Sequence, residues 1–150
     1  MRRGSGRAAS GPAKPYVFVV DGDEEVRRSL RLLLRNLDLE VEDFATAEEA
    51  LPRILESPPS CLISEVYLRG MSGTELQREI RSRGLHLPVI ILATHADVPL
   101  AVEAMRLGAA DFIEKPIIDR LVLAQVRALT SRPRRGDAEG TKHTRGIAGS

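Results

Sequence analysis

One cysteine, Cys61, stands in the 150 residues, so no disulfide can form within the chain, and a lone cysteine fits a reducing cytosol. At the head of an apolar run it reads as a small buried hydrophobe. No apolar run approaches membrane-spanning length, and Arg2, Arg3 and Arg7 have no apolar segment behind them. Neither a transmembrane helix nor a secretory signal is therefore expected, and the protein reads as soluble and cytoplasmic. Internal repeats are absent, and the length suits one domain with a real core rather than two. His86, His95 and His143 are scattered, which argues against a metal cluster.

Lysine is almost missing from the middle of the chain: of 13 basic residues between positions 15 and 130, 12 are arginines and one is Lys115. The same region holds 19 acids, a net charge of −6, whereas residues 1–14 carry four basic residues and no acid, and 131–150 carry five basic and two acidic. An acidic central region is poorly suited to binding nucleic acid by itself. Both ends are Gly-, Ser-, Ala- and Arg-rich without periodicity and read as disordered arms, 1–14 and 131–150, around a domain at 15–130.

Within that domain, residues 16–20 form a continuous apolar run that stops on Asp21-Gly22-Asp23, as a buried parallel strand does. Val26, Leu30, Leu33 and Leu37 then recur at helical spacing, with Arg27, Arg28, Arg31 and Arg35 on the other face. Residues 39–44 alternate apolar and acidic, as an edge strand does. Thr46 and Glu49 form a capping-box pattern ahead of a helix that Pro52 is expected to kink or weaken and that Ser57-Pro58-Pro59-Ser60 ends. Cys61-Leu62-Ile63 is a short buried strand closing on Glu65, followed by a loop and a second capping box, Ser72 with Glu75, opening a helix over 73–83. Residues 88–93 are another apolar strand. Asp97 caps the next helix, with Pro99 in its first turn and Gly108 at its end. Residues 111–115 are a last short strand, and 118–130 a last amphipathic helix.

Five strands alternating with five helices predict an α/β fold. With right-handed crossovers, (βα)5 gives a doubly wound parallel five-stranded sheet covered on both faces, a three-layer α/β/α arrangement. Ligands in such sheets sit outside the carboxyl ends of the strands. Those ends carry Asp21 and Asp23, Glu65, Ala93 with Thr94, and Lys115. In a chain that otherwise uses arginine, a lysine just before Pro116 suggests a compact point charge rather than a planar fork, set against the plainer reading of a solvated surface lysine. Acids and a lysine converging at strand ends make a phosphate or metal arrangement in general form.

The stretches VFVVDGDEEVRRSL, MSGTEL and HADVPLAVEAMRLGAADFIEKP resemble the receiver domain of bacterial two-component response regulators, of the nitrogen-fixation, FixJ-like type, over roughly residues 16–129. The resemblance implies a flavodoxin-like fold with strand order 2-1-3-4-5. It also implies an aspartyl phosphate at the end of the third strand and magnesium held by an acidic pair after the first. Counted back from Met71-Ser72-Gly73, the phosphoacceptor position falls on Glu65, not aspartate. The acidic pair falls on Asp21 and Gly22, which weakens any magnesium site, and Asp23 needs a local shift to substitute. The hydroxyl position at the fourth strand falls on Ala93, with Thr94 next, and the loop Tyr67-Leu68-Arg69-Gly70 lacks the family's proline. Lys115-Pro116 is kept, and Phe112 stands at the switch aromatic position.

These departures imply a degenerate, or pseudo-, receiver that acts by protein–protein interaction without aspartyl phosphorylation and with no required cofactor. Its expected partners are a histidine kinase or a downstream regulator. In the family, the face of the fourth helix, fifth strand and fifth helix carries output or homodimer contacts, which points to Glu103, Arg106, Phe112 and Arg120. An ordinary phosphorylatable receiver is the alternative. A remoter one is a haloacid-dehalogenase-like phosphohydrolase, because Asp21-Gly22-Asp23 also looks like that family's nucleophile and general acid, with Thr94 and Lys115 as phosphate binders.

Overall fold

Three of the strands are apolar on both faces and bury every residue or nearly so. These are β1 (Tyr16–Val20), β3 (Cys61–Glu65) and β4 (Val89–Ala93), the inner strands of one parallel sheet. β2 (Glu40–Phe44) and β5 (Asp111–Glu114) are only partly buried and form its edges, giving the order β2-β1-β3-β4-β5. The computed structural model describes residues 15–131. The arms expected at 1–14 and 131–150 lie, apart from Ser131, outside the described residues.

Side-chain alternation divides the core in two. Val17, Val19, Cys61, Ile63, Ile90 and Leu92 pack with Leu30 and Leu34 of α1 (Glu24–Leu34) and with Val122 and Val126 of α5 (Asp119–Thr130). Phe18, Val20, Leu62, Val89 and Ile91 point the other way, onto α2 (Ala47–Glu56), α3 (Gly73–Ser82) and α4 (Val98–Arg106). Helices thus cover both faces, as the alternation of elements requires. Asp43 and Glu42 on edge strand β2 pair with Arg27 and Arg31 and with Arg53, so charge lies on both sides of that edge and discourages further strand pairing.

Most boundaries agree with the sequence reading, and the exceptions have local causes. β4 begins at Val89 rather than at Pro88, although the Pro88 carbonyl still accepts from Leu62 N–H at 2.9 Å. Proline cannot donate into the ladder, so only its acceptor side takes part. α2 runs through Pro52 to Glu56 as one helix, with one backbone donor missing from its second turn. Its Thr46 accepts from Glu49 N–H as expected, but the Glu49 carboxylate reaches back to Ala45 N–H at 3.3 Å and not to Thr46. The second box, Ser72 with Glu75, is fully reciprocal. β5 stops at Glu114, yet Lys115 N–H still donates to Ala93 O at 2.8 Å, which holds Lys115 at the sheet margin.

Candidate functional site

Parallel register sets the C-terminal strand ends side by side. Val20 lies opposite Ser64, Glu65 opposite Leu92, and Ala93 opposite Glu114, so Asp21, Glu65, Ala93 and Lys115 gather at one edge of the sheet. The start of α3 closes in from the side. A Cβ on Gly73 would sit 2.3 Å from Glu65 O, so only glycine lets that helix approach the strand end so closely.

Lys115 is the centre of the cluster. Its Nζ lies 2.7 Å from Glu65 Oε1 and 2.8 Å from Asp21 Oδ2, while both carboxylates are almost wholly buried. Burial pulls the ammonium down, but the hydrogen bonds to Asp21 and Glu65 and their negative charges outweigh it and hold Lys115 above its usual 10.5. Each remaining carboxylate oxygen has its own donor. Asp21 Oδ1 accepts from Asp23 N–H at 2.9 Å, and Glu65 Oε2 accepts from Tyr67 N–H at 2.9 Å. Thr94 Oγ1 adds a bond to Glu65 Oε1 at 3.3 Å. Two acids and one lysine leave one net negative charge, spread over two ion-pair contacts with Lys115 and three neutral donors.

The other residues singled out by sequence fall into place unequally. The Asp23 carboxylate is turned to α1, where it caps the helix by accepting from Glu25 N–H at 2.9 Å, so it does not join Asp21 and Glu65 in the pocket. Ala93 is fully buried and contributes only its carbonyl. Thr94, read most simply as a strand-end residue, engages Glu65 directly. Phe112 is partly buried and packs against the core cluster under α2 to α4. Glu103, expected on the interface, pairs with Arg78 of α3 while its side chain stays 43% exposed. Arg106 and Arg120 are exposed.

Two contributors were missed. Arg27, assigned to the outer face of the first helix, donates from Nη1 to Asp21 O at 2.7 Å and from Nε to Asp43 at 2.8 Å, fixing the backbone that carries Asp21. Its spacing from Glu24 and its place one turn after the strand end were the available signals. Tyr67 gave none beyond being an aromatic in a loop. That loop, without its proline, is held instead by Glu48 of α2, which accepts from Met71 N–H at 2.8 Å beside Gly70 at φ +82.

The resemblance assigns magnesium to this edge, but the donors do not fit it. Magnesium asks for near-octahedral oxygen ligands, several of them water, around free carboxylate oxygens. Here Gly22 offers no side chain, Asp23 is committed to a helix cap, and every carboxylate oxygen of Asp21 and Glu65 already accepts from a donor within the protein. Among the described residues no group of three or more His, Cys, Asp or Glu is arranged to hold a metal ion. Cys61, at the far end of β3, has its thiol pushed up to about 12 by burial and is chemically quiet.

Residues 17–127 match the response regulator receiver domain family. The chain belongs to that family. It is 45% identical over 121 residues to the transcriptional regulatory protein FixJ of Azorhizobium caulinodans, covering 81% of this chain and 57% of that protein. It is 41% identical over 133 residues to nodulation protein W of Bradyrhizobium diazoefficiens, covering 89% of this chain and 59% of the relative. Among solved structures, the crystal structure of FixJ-N superposes with a TM-score of 0.73 at 33% identity, covering 81% of this chain and 98% of that one. A receiver protein from Pseudoalteromonas atlantica gives 0.73 at 36%, covering 78% and 98%. The chain thus spans less than three fifths of the curated relatives and nearly all of the isolated receivers. The family membership accounts for the Asp21-Gly22-Asp23 turn as a receiver's first strand end, without a phosphohydrolase. Receivers are signalling domains of two-component systems that engage histidine kinases or effector domains. No helix among the described residues is long and apolar enough to cross a membrane.

Proposed function

We propose that this receiver is a pseudo-receiver, a cytoplasmic protein-interaction module at 15–130 whose conformation is not set by an aspartyl phosphate. The observation that carries the reading is the bridge made by Lys115, which joins Asp21 and Glu65 at 2.8 and 2.7 Å. In this reading Glu65 occupies the phosphoacceptor position and stands as a partial, permanent stand-in for a phosphoryl group. It has one charge where phosphate carries nearly two, and it is answered by Lys115, Thr94 and Tyr67 N–H. Losing the hydroxyl at Ala93 removes a charge-assisted bond to any bound phosphoryl, worth roughly 1.5–3 kcal/mol.

Output on this reading passes through the face built by α4, β5 and α5. Val98, Val102 and Met105, at helical spacing on α4, are 75%, 42% and 49% exposed, and Ile118 and Leu121, at the start of α5, are about half exposed. Such a cluster of exposed apolar side chains suits a protein partner or a second copy of the chain, with Arg106 and Arg120 at its margin. Intact-mass analysis after incubation with acetyl phosphate and magnesium tests the reading. The expected result is no added phosphoryl group. A stoichiometric adduct would return the chain to the ordinary, phosphorylatable receivers.

A further inference from the structure

Around Glu65 the hydrogen bonds form a closed ring that reaches beyond the ion pair. Tyr67 N–H donates to Glu65 Oε2 at 2.9 Å, and the Tyr67 hydroxyl donates across to His95 O at 3.2 Å. His95 follows Thr94, whose hydroxyl returns to Glu65 Oε1 at 3.3 Å. Glu65, Thr94, His95 and Tyr67 therefore tie the loop after β3 to the loop after β4. Two residues beyond His95, Asp97 caps α4 by accepting from Leu100 N–H at 2.9 Å, and its carbonyl accepts from Ala101 N–H at 3.1 Å. Whatever holds the Thr94-His95 segment also holds the entry to α4.

Burial does not hold the Tyr67 ring in this pose, since the residue is 53% exposed. The two polar anchors, one at each end of the residue, do so. Phe112 has no hydroxyl and packs into the core, so it cannot make an equivalent bond. We propose that Tyr67 is a positioning residue, a strap that fastens the loop after β4 to the Glu65 site and thereby sets the first turn of α4, from which Val98, Val102 and Met105 project. The strap rests on the pseudo-receiver reading, because two bonds of the ring come from an unmodified Glu65.

Tyr67→Phe in the full chain, without magnesium or a phosphoryl donor, removes the hydroxyl bond and keeps the ring and its N–H. The Ala96 amide, which shares a peptide group with His95 O, is expected to shift in the NMR spectrum. Exchange of the Leu100 and Ala101 amides is expected to quicken about three- to tenfold, with the melting temperature lowered by only a few degrees. Thr94→Val should disturb the same amides, and the double variant should change them by less than the product of the two singles, because both bonds belong to one ring. Unchanged Ala96, Leu100 and Ala101 amides in Tyr67→Phe overturn the strap, and so do effects that simply multiply. A wild-type response to beryllofluoride would overturn the pseudo-receiver reading while leaving the Tyr67→Phe result standing, so the two failures are separable.

Discussion

Replacing Lys115 by methionine is expected to destabilise the domain by about 3–5 kcal/mol, because it leaves two carboxylates buried with no cation between them. Asp21 and Glu65 are only 2% and 3% exposed, so water cannot take the place of the ammonium. Methionine has nearly the same length and shape, which keeps the loss from being one of packing. Urea unfolding at neutral pH measures it. The pH dependence has a definite sign. Lys115 is held above 10.5 in the folded protein, so its contribution is complete below 10.5 and disappears as pH rises through the folded value. A loss below about 1 kcal/mol at neutral pH would show that the bridge behaves as an exposed surface pair.

The second large effect is a gain. Gly22→Asp with Glu65→Asp is expected to confer magnesium-dependent uptake of a phosphoryl group from acetyl phosphate. The new carboxylate at position 22 has room, since a Cβ there meets nothing closer than Ala45 O at 3.9 Å and the backbone needs no left-handed conformation. The shorter side chain at position 65 withdraws from Lys115 and frees both oxygens, restoring three carboxylates against one lysine, a surplus that a divalent cation neutralises. Adding Ala93→Thr should lengthen the adduct's lifetime about tenfold or more by returning a hydroxyl to the phosphoryl oxygens. Ala93 is fully buried, so that third change also carries a packing cost absent from the pair. Intact-mass analysis with and without magnesium reads the outcome, and no adduct on the double variant would mean that something other than these side chains blocks the chemistry.

What the sequence reveals follows how local each determinant is. The apolar runs ending on Asp21, Glu65 and Ala93 announce strand ends, because a parallel strand buried on both faces has nowhere else to put a charge or a turn. Lys115 stands out because the other 12 basic residues between positions 15 and 130 are all arginines. Strand order and the meeting of Asp21, Glu65 and Lys115 follow from topology once the alternation of elements is read. The partners of long, flexible side chains are another matter. Glu103 could face solvent or α3, and only the packed helices turn it to Arg78. Thr94 meets Glu65 across 29 positions, through a strand register that no local pattern expresses. Asp23 sits beside the pocket in sequence yet spends its carboxylate on the first turn of α1, since an N-terminal helix cap competes for any nearby acid. The Tyr67 hydroxyl contact with His95 depends on where two loops come to rest, and loops carry the least pattern of all.

Lys115 and the surrounding donors already satisfy this site from within. A two-dimensional amide NMR spectrum, titrated first with magnesium and then with beryllofluoride, tests whether they leave room for an outside ligand. No saturable shifts are expected at Asp21, Gly22, Glu65, Thr94 or Lys115 beyond those caused by ionic strength. Saturable shifts at those residues that spread to Phe112 and α4 would contradict this, and would mean that the site still opens to an acyl-phosphate mimic and switches as other receivers do.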